Sequence, residues 1–379
     1  MVIMKQFIYA DNAATTQLDI DAFESMIPFF LDEYGNASQP YSFSRSAKRA
    51  IKEARNSIAA CINADPEEIY FTSGGTESDN WAIKGSAFSD PEKRETITSS
   101  IEHHALLRAC SAINGLGYPI TYLGVSKDGV VSPHELANII TSKTRLVSVM
   151  LVNNEIGTIQ PIQELCRITH ENNALFHTDA VQALGHIRVD VQELGVDMLS
   201  ASAHKFNGPK GIGFLYIRKG TQIVPLSDGG TQEFGLRAGT ENVASIVGMA
   251  TALKKNCARI DEHTMHLKTL EQVFLSRLDQ ANLDYIRNGH SHHVPGNISV
   301  SFKNANGEAI LHRLDLMGIC VSTGSACDSA NTQISHVLKA IQLDKSYSIG
   351  TIRISLGHNN TLDEVERIAS CLIKILQSE

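Results

Sequence analysis

Met198-Leu199-Ser200-Ala201-Ser202-Ala203-His204-Lys205-Phe206-Asn207-Gly208-Pro209-Lys210-Gly211 opens apolar, turns polar and breaks on Gly and Pro. Its start, 198–201, reads as a short buried strand, and a second apolar run, 212–217, follows the turn. Lys205 therefore stands at the mouth of a buried strand. A lysine there loses hydration, its pKa can fall, and its amine becomes able to form a Schiff base. Lys210 is the competing amine, but it lies within the turn, where water reaches it. Ser202 and His204 flank the lysine with groups able to hold a phosphate.

Further short apolar runs surround this one. Residues 68–72, 96–99, 146–152 and 175–177 read as buried strands. Between most of them lie helical stretches of about a dozen residues, such as 161–172, the length a crossover needs. The stretch 44–62 is an amphipathic helix, with Ala47, Ile51, Ala54, Ile58 and Ile62 at helical spacing. Strand alternating with helix predicts an α/β fold with a mostly parallel sheet. After about residue 258 the rhythm changes. A long helix at 260–283 leads into strands at 297–302, 319–322 and 352–355, with helices at 308–316 and 362–376. This predicts a larger domain over 16–258 and a smaller α+β domain made of 1–15 and 259–379.

Composition limits the function. The chain has 379 residues, 42% hydrophobic and 20% charged, as expected for a soluble globular protein. A net charge of −8 argues against general nucleic-acid binding, which needs clustered cations. No apolar run is long enough to span a membrane. The N-terminal residues lack the pattern of a signal peptide. The seven cysteines are scattered, odd in number and form no CxxC pair. That predicts neither a disulfide framework nor a metal site, and fits the reducing cytoplasm.

Three further motifs carry chemistry. Phe71-Thr72-Ser73-Gly74-Gly75-Thr76-Glu77 runs from strand through a double glycine into a helix. Free backbone amides at such a turn, with the hydroxyl of Thr76, suit a phosphate, although a plain helix cap reads equally well. Phe176-His177-Thr178-Asp179-Ala180-Val181-Gln182 places an acid at the end of a buried strand, where it is costly unless paired with a cation. A pyridinium nitrogen is one such cation, and Gln182 can face the same pocket; a helix-capping role for Asp179 is the alternative. Gly324-Ser325-Ala326-Cys327-Asp328-Ser329 sets a cysteine among small polar residues, as expected for an exposed loop thiol able to attack.

In this order, these motifs resemble those of the cysteine desulfurases, fold-type-I pyridoxal-phosphate enzymes of the class-V aminotransferase family. The resemblance also rests on Tyr9-Ala10-Asp11-Asn12-Ala13-Ala14, Glu102-His103-His104-Ala105, Val152-Asn153-Asn154-Glu155, Arg237-Ala238-Gly239-Thr240 and Arg353-Ile354-Ser355-Leu356-Gly357. It implies a large domain with a seven-stranded type of sheet. It also implies that Lys205 holds pyridoxal 5'-phosphate and that Cys327 receives the sulfur of L-cysteine as a persulfide. By the same resemblance His104 stacks on the ring and moves protons, while Asp179 pairs with the ring nitrogen and Gln182 with the ring hydroxyl. Gly75, Thr76, Ser202 and His204 bind the phosphate, and Thr240 joins them from the other subunit of a homodimer. Asn154 and Arg353 hold the substrate carboxylate. The persulfide passes to an acceptor protein, an iron–sulfur scaffold, a tRNA-thiolation protein or a DNA-sulfur modification system.

Two positions depart from the family pattern. Thr231 stands where a third glycine is usual, and His358 where a basic residue is common. The competing readings are a selenocysteine lyase or aminotransferase of the same fold, and a non-catalytic scaffold. The scaffold would be expected to have lost at least one of Lys205, Asp179, His104 and Cys327.

Overall fold

The computed structural model describes residues 7–323 and 334–378. Cys327 and its glycine-serine neighbours lie outside the described residues. A seven-stranded sheet runs in the order Ile69–Thr72, Gly213–Ile217, Met198–Ser202, Leu175–Asp179, Thr144–Ser148, Glu95–Ser99, Ile120–Leu123. All but one of the strands point the same way; Gly213–Ile217 is antiparallel to both its neighbours. The central strands are buried on both faces, which is why, Arg145 apart, their sequences are mostly apolar and small residues.

The helix Arg45–Ile62 packs on Val243–Ala258, with Ala47, Ile51, Ala54, Ile58 and Ile62 buried as their spacing predicts. It stops at Asn63, whose φ of 57° is the left-handed cap that asparagine tolerates. A second, three-stranded antiparallel sheet has the order Thr351–Ser355, Asn297–Phe302, Tyr285–Arg287. Its core joins Leu270, Phe274, Ile298, Ile352, Ile368 and Leu372, contributed in part by the helices Ile260–Gln280 and Leu362–Gln377. Ile8–Tyr9 pairs in parallel with Ile319–Cys320 beside it. The chain then passes, through a bridge between Asp11 and Ser355, toward the carboxyl edge of the large sheet.

Several strand ends differ from the sequence expectation, for identifiable reasons. The strand in the run 146–152 ends at Ser148: beyond it the Val149 and Leu151 amides still bond the carbonyls of His177 and Asp179, but the Met150 amide turns to the buried carboxylate of Glu102 at 3.0 Å. The run 175–177 continues to Asp179, since Thr178 satisfies its hydroxyl on the Val149 carbonyl at 2.8 Å and tolerates burial. The run 319–322 shortens to Ile319–Cys320, and Ser322 instead exchanges backbone bonds with Arg353. Cys320 is half-buried, not wholly within the core. The edge strand Ile120–Leu123 has two exposed residues and too weak a pattern to be read from the sequence.

Candidate active site

The parallel strands end on one edge of the large sheet, where ligands of such folds bind. A cavity of about 260 Å³ opens there, lined by Gly75, Thr76, His104, Asn154, Asp179, Gln182, Ser202, His204, Lys205 and Arg353. The sequence spreads these residues over some 280 positions, and the strand order of the large sheet, the small sheet and the N-terminal segment bring them together.

Lys205 sits in a short 3-10 turn directly after Met198–Ser202, so the buried strand aims it. Its Nζ donates to the carbonyls of Ala13 at 2.6 Å and Ala14 at 2.7 Å. Lys210 is exposed, as its place in the turn predicts. Gln182 Nε2 donates to the same Ala13 carbonyl at 2.8 Å. The N-terminal segment is thus the wall against which the lysine rests.

The glycine turn behaves as an open helix end. Gly74 caps the helix Gly75–Ala87 with no side-chain hydrogen bond and a φ of 145°, so Thr76 lies inside the first turn and is not the cap. A Cβ on Gly75 would stand 2.8 Å from Val181 Cγ2, and one on Gly213 only 2.7 Å from Gly74 Cα. Glycine is therefore needed for the turn to fold down onto the sheet beside Ser202. The first-turn amides and the dipole favour an anion there. His204 Nδ1 lies 3.1 Å from Thr15 Oγ1, and burial lowers its pKa to about 4.

The floor of the cavity holds buried acid. Asp179, 5% exposed, closes its strand, and its Oδ1 accepts from the Val181 amide at 2.9 Å. Burial raises its pKa to about 6, against the pull of that amide and of Lys205. Beneath it lies Asp79, which burial and then the charge of Asp179 hold well above the carboxylate range. Glu102 is pushed up to about 8 by burial, opposed by bonds from Ser99 and the Met150 amide. His177, pressed down to about 3 by burial, is a neutral ring between Ser148 and Ser200.

His103 and His104 both line the cavity, and neither is a surface residue. His103 caps the helix His104–Asn114 by accepting the Ala105 amide at 3.2 Å, and His104 opens that helix. The His104 ring lies 4.8 Å from that of His336. His336 in turn meets the Glu102 carbonyl at 2.9 Å, and Ser335 Oγ donates to Glu155 Oε2 at 2.6 Å. Arg353, 3% exposed, pairs with Asp11 at 2.7 Å and donates to the Asn154 carbonyl at 2.9 Å. A structural acid and a place in the cavity are therefore both true of it. Thr240 is exposed and does not line this cavity.

Asp79, Glu102 and His336 were not anticipated. Asp79 carried a signal, since it sits four residues after Gly75, next to the buried face of Trp81, Ala82 and Ile83. His336 carried none, because only the tertiary fold brings it to His104. The Asp79 Oδ1 and Arg353 Nε atoms are buried without a partner among the described residues. Unpaired buried polar atoms cost about 1–3 kcal/mol each, which marks a site built around a polar ligand. An amine on a strand end, a buried acid and an anion cradle together suit a phosphate-bearing heteroaromatic aldehyde. Among the described residues no cluster could hold a metal ion, and no helix is long and apolar enough to cross a membrane.

Comparison with known proteins agrees with this geometry. The Aminotransferase class-V family matches residues 8–368. A cysteine desulfurase IscS of Dictyoglomus turgidum is 50% identical over 374 residues, covering 96% of this chain and 95% of that protein. A solved NifS-like protein superposes with a TM-score of 0.93 at 39% identity, covering 99% of this chain and all of that one. A structure described as SspA in complex with cysteine gives 0.83 at 36% identity, over 93% of this chain and 100% of that one.

Proposed function

The chain belongs to the class-V aminotransferase family as a cysteine desulfurase, and from that premise we propose how its residues divide the reaction. It removes sulfur from L-cysteine, giving alanine. Pyridoxal 5'-phosphate is the coenzyme our reading places at Lys205, and when bound it supplies an electron sink for the substrate's α-carbon. The residues fit that group: Asp179 is a costly buried acid awaiting a cation, the amides of Gly75 and Thr76 form an anion cradle, and Lys205 brings an amine between them. That convergence in one cavity is the observation that carries the proposal.

Lys205 would hold the coenzyme through its Nζ and take the α-proton of cysteine. Asp179 would keep the ring nitrogen protonated. His104 would pack on the ring, Gln182 would bond the ring hydroxyl, and Ser202 and His204 would complete the phosphate cradle. Arg353 and Asn154 orient the substrate carboxylate, where a guanidinium fork matches both oxygens. The Cys327 thiolate then attacks the substrate sulfur. A sulfur–sulfur bond forms, the carbon–sulfur bond breaks, and its electron pair stays with the substrate carbon, which is protonated to alanine. The persulfide leaves to an acceptor protein, with an iron–sulfur scaffold as one candidate. Two anchors support the reach of Cys327: Ser322 is tied to Arg353 and Ser335 to Glu155, both at the cavity wall.

We also propose a homodimer, with Thr240 reaching the phosphate from the partner subunit. Its absence from its own chain's cavity supports this, as do the exposed Phe23, Phe30, Leu31, Tyr34 and Phe43 near the N-terminus. The division at 16–258 against 1–15 and 259–379 rests on the separate core of the small sheet. The cytoplasm fits the six described cysteines, all free. One experiment tests the central reading: turnover with isotope-labelled cysteine, followed by peptide mass spectrometry. Extra sulfur on the Cys327 peptide is expected, and label on any other cysteine rejects the assignment.

A further inference from the structure

A second cavity, of about 390 Å³, lies behind Lys205. The segment 13–17 divides the two: Ala13 and Ala14 face the first cavity, and Thr15, Thr16 and Gln17 face the second. His186 belongs to the second cavity and bonds the backbone carbonyl of Lys205 through Nε2 at 2.9 Å. Opposite it, the rings of His263 and His358 stack in parallel, with centroids 4.6 Å apart and planes 7° apart. His263 Nε2 is buried and has no partner among the described residues. Among the described residues no carboxylate lines this cavity, and asparagine, glutamine, threonine, tyrosine and imidazole groups supply its polarity.

Such a wall is poorly matched to a cation and poised for an anion. Burial and then the neighbouring His358 lower His263 to about 4, so the empty stack is neutral near pH 7. Burial also lowers His186 and His358. An entering negative charge would reverse this balance, because a protonated imidazole gains a charge-assisted bond to it. The charged groups at the adjoining mouth nearly cancel. Lys255 is paired with Asp19 and Asp21, Arg259 with Glu262, and His266 is bonded to the Asn360 carbonyl. On the other side the facing charge is Lys205 itself, which weakly lowers His186. The imidazoles therefore decide the preference.

We propose that this cavity binds a small oxyanion, a carboxylate or phosphate group on a small molecule, between the His263–His358 stack and His186. The site is separate from the desulfurase cavity, so its test does not depend on turnover. The coenzyme-loaded protein is titrated by calorimetry with inorganic phosphate and, separately, with succinate, at about pH 6 and about pH 8. Saturable binding of at least one probe is expected, about tenfold tighter at the lower pH. The probe that binds identifies the head group. His263→Gln and His358→Gln each keep a hydrogen-bonding side chain but lose the charge, and should weaken binding about tenfold. If either fails to fold, Thr264→Phe fills the cavity from the helix Ile260–Gln280 and should abolish binding with the melting temperature retained. No saturable binding at either pH, or binding that survives these substitutions unchanged, would overturn the proposal.

Discussion

The two cavities on either side of segment 13–17, about 260 Å³ in front and about 390 Å³ behind, are of opposite character. The front one is lined by three buried carboxyls, Asp79, Glu155 and Asp179, together with a lysine and an arginine, and Glu102 lies buried outside its lining. Among the described residues the rear one has no carboxylate, and burial lowers the pKa of each of its imidazoles. The front cavity holds buried polar atoms without hydrogen-bond partners before any ligand arrives, Asp79 Oδ1 and Arg353 Nε, so it depends on its ligand to relieve a standing cost. The rear cavity gains charge only when a ligand brings it. Substitutions in front should therefore be severe, and those behind should be mild.

Replacing the amine should have the largest effect. Lys205→Ala should remove the visible Schiff-base absorption and lower alanine formation at least ~10³-fold, measured by spectrum and product assay. Cys327→Ser should keep the colour and lose sulfur transfer to a similar extent. A rear-wall variant as damaging as Lys205→Ala would erase the contrast. Next, Asp179→Asn should lower alanine formation by about 10²-fold while folding is retained, because the proposed coenzyme's ring nitrogen would lose its anionic partner.

The buried acids also predict a pH dependence. Glu102 titrates near 8 in the fold, against a value of 4.5 in the unfolded chain. Between those values the folded protein holds a proton that the unfolded chain has released, so stability falls as pH rises through the window. Glu102→Gln keeps the acceptor for Ser99 and Met150 but cannot ionise. Thermal melting of the coenzyme-free variant should be flatter across that window, gaining roughly 5 °C at its upper end relative to the parent.

Smaller effects should separate shape from charge. Gly75→Ala pushes a methyl onto Val181 and should weaken coenzyme binding by about tenfold, and adding Val181→Ala should restore much of it. His186→Gln, behind the lysine, should change alanine formation by no more than about threefold, since one neutral hydrogen bond to the Lys205 carbonyl is replaced by another.

Lys205, Asp179 and the Gly74–Thr76 turn were legible because each sits at a strand end, and a polar group ending an apolar run is visible locally. The large-sheet strands were legible for the same reason, with their ends misplaced where a side chain captured a backbone amide, as Glu102 does at Met150. The pairing of Arg353 with Asp11 joins residues 342 positions apart and has no local trace. Nor did the sequence reveal the stack of His263 on His358, which also depends on the small sheet folding back.

The sequence by itself determined which residues could do chemistry and which runs would be buried, because burial follows hydrophobic pattern and turns follow glycine and proline. Only the tertiary structure decided which of those groups share a wall. Proximity across hundreds of residues depends on strand order and on the N-terminal segment lying against Lys205, and it is proximity in a low-dielectric interior that shifts the acids upward and holds the imidazoles neutral.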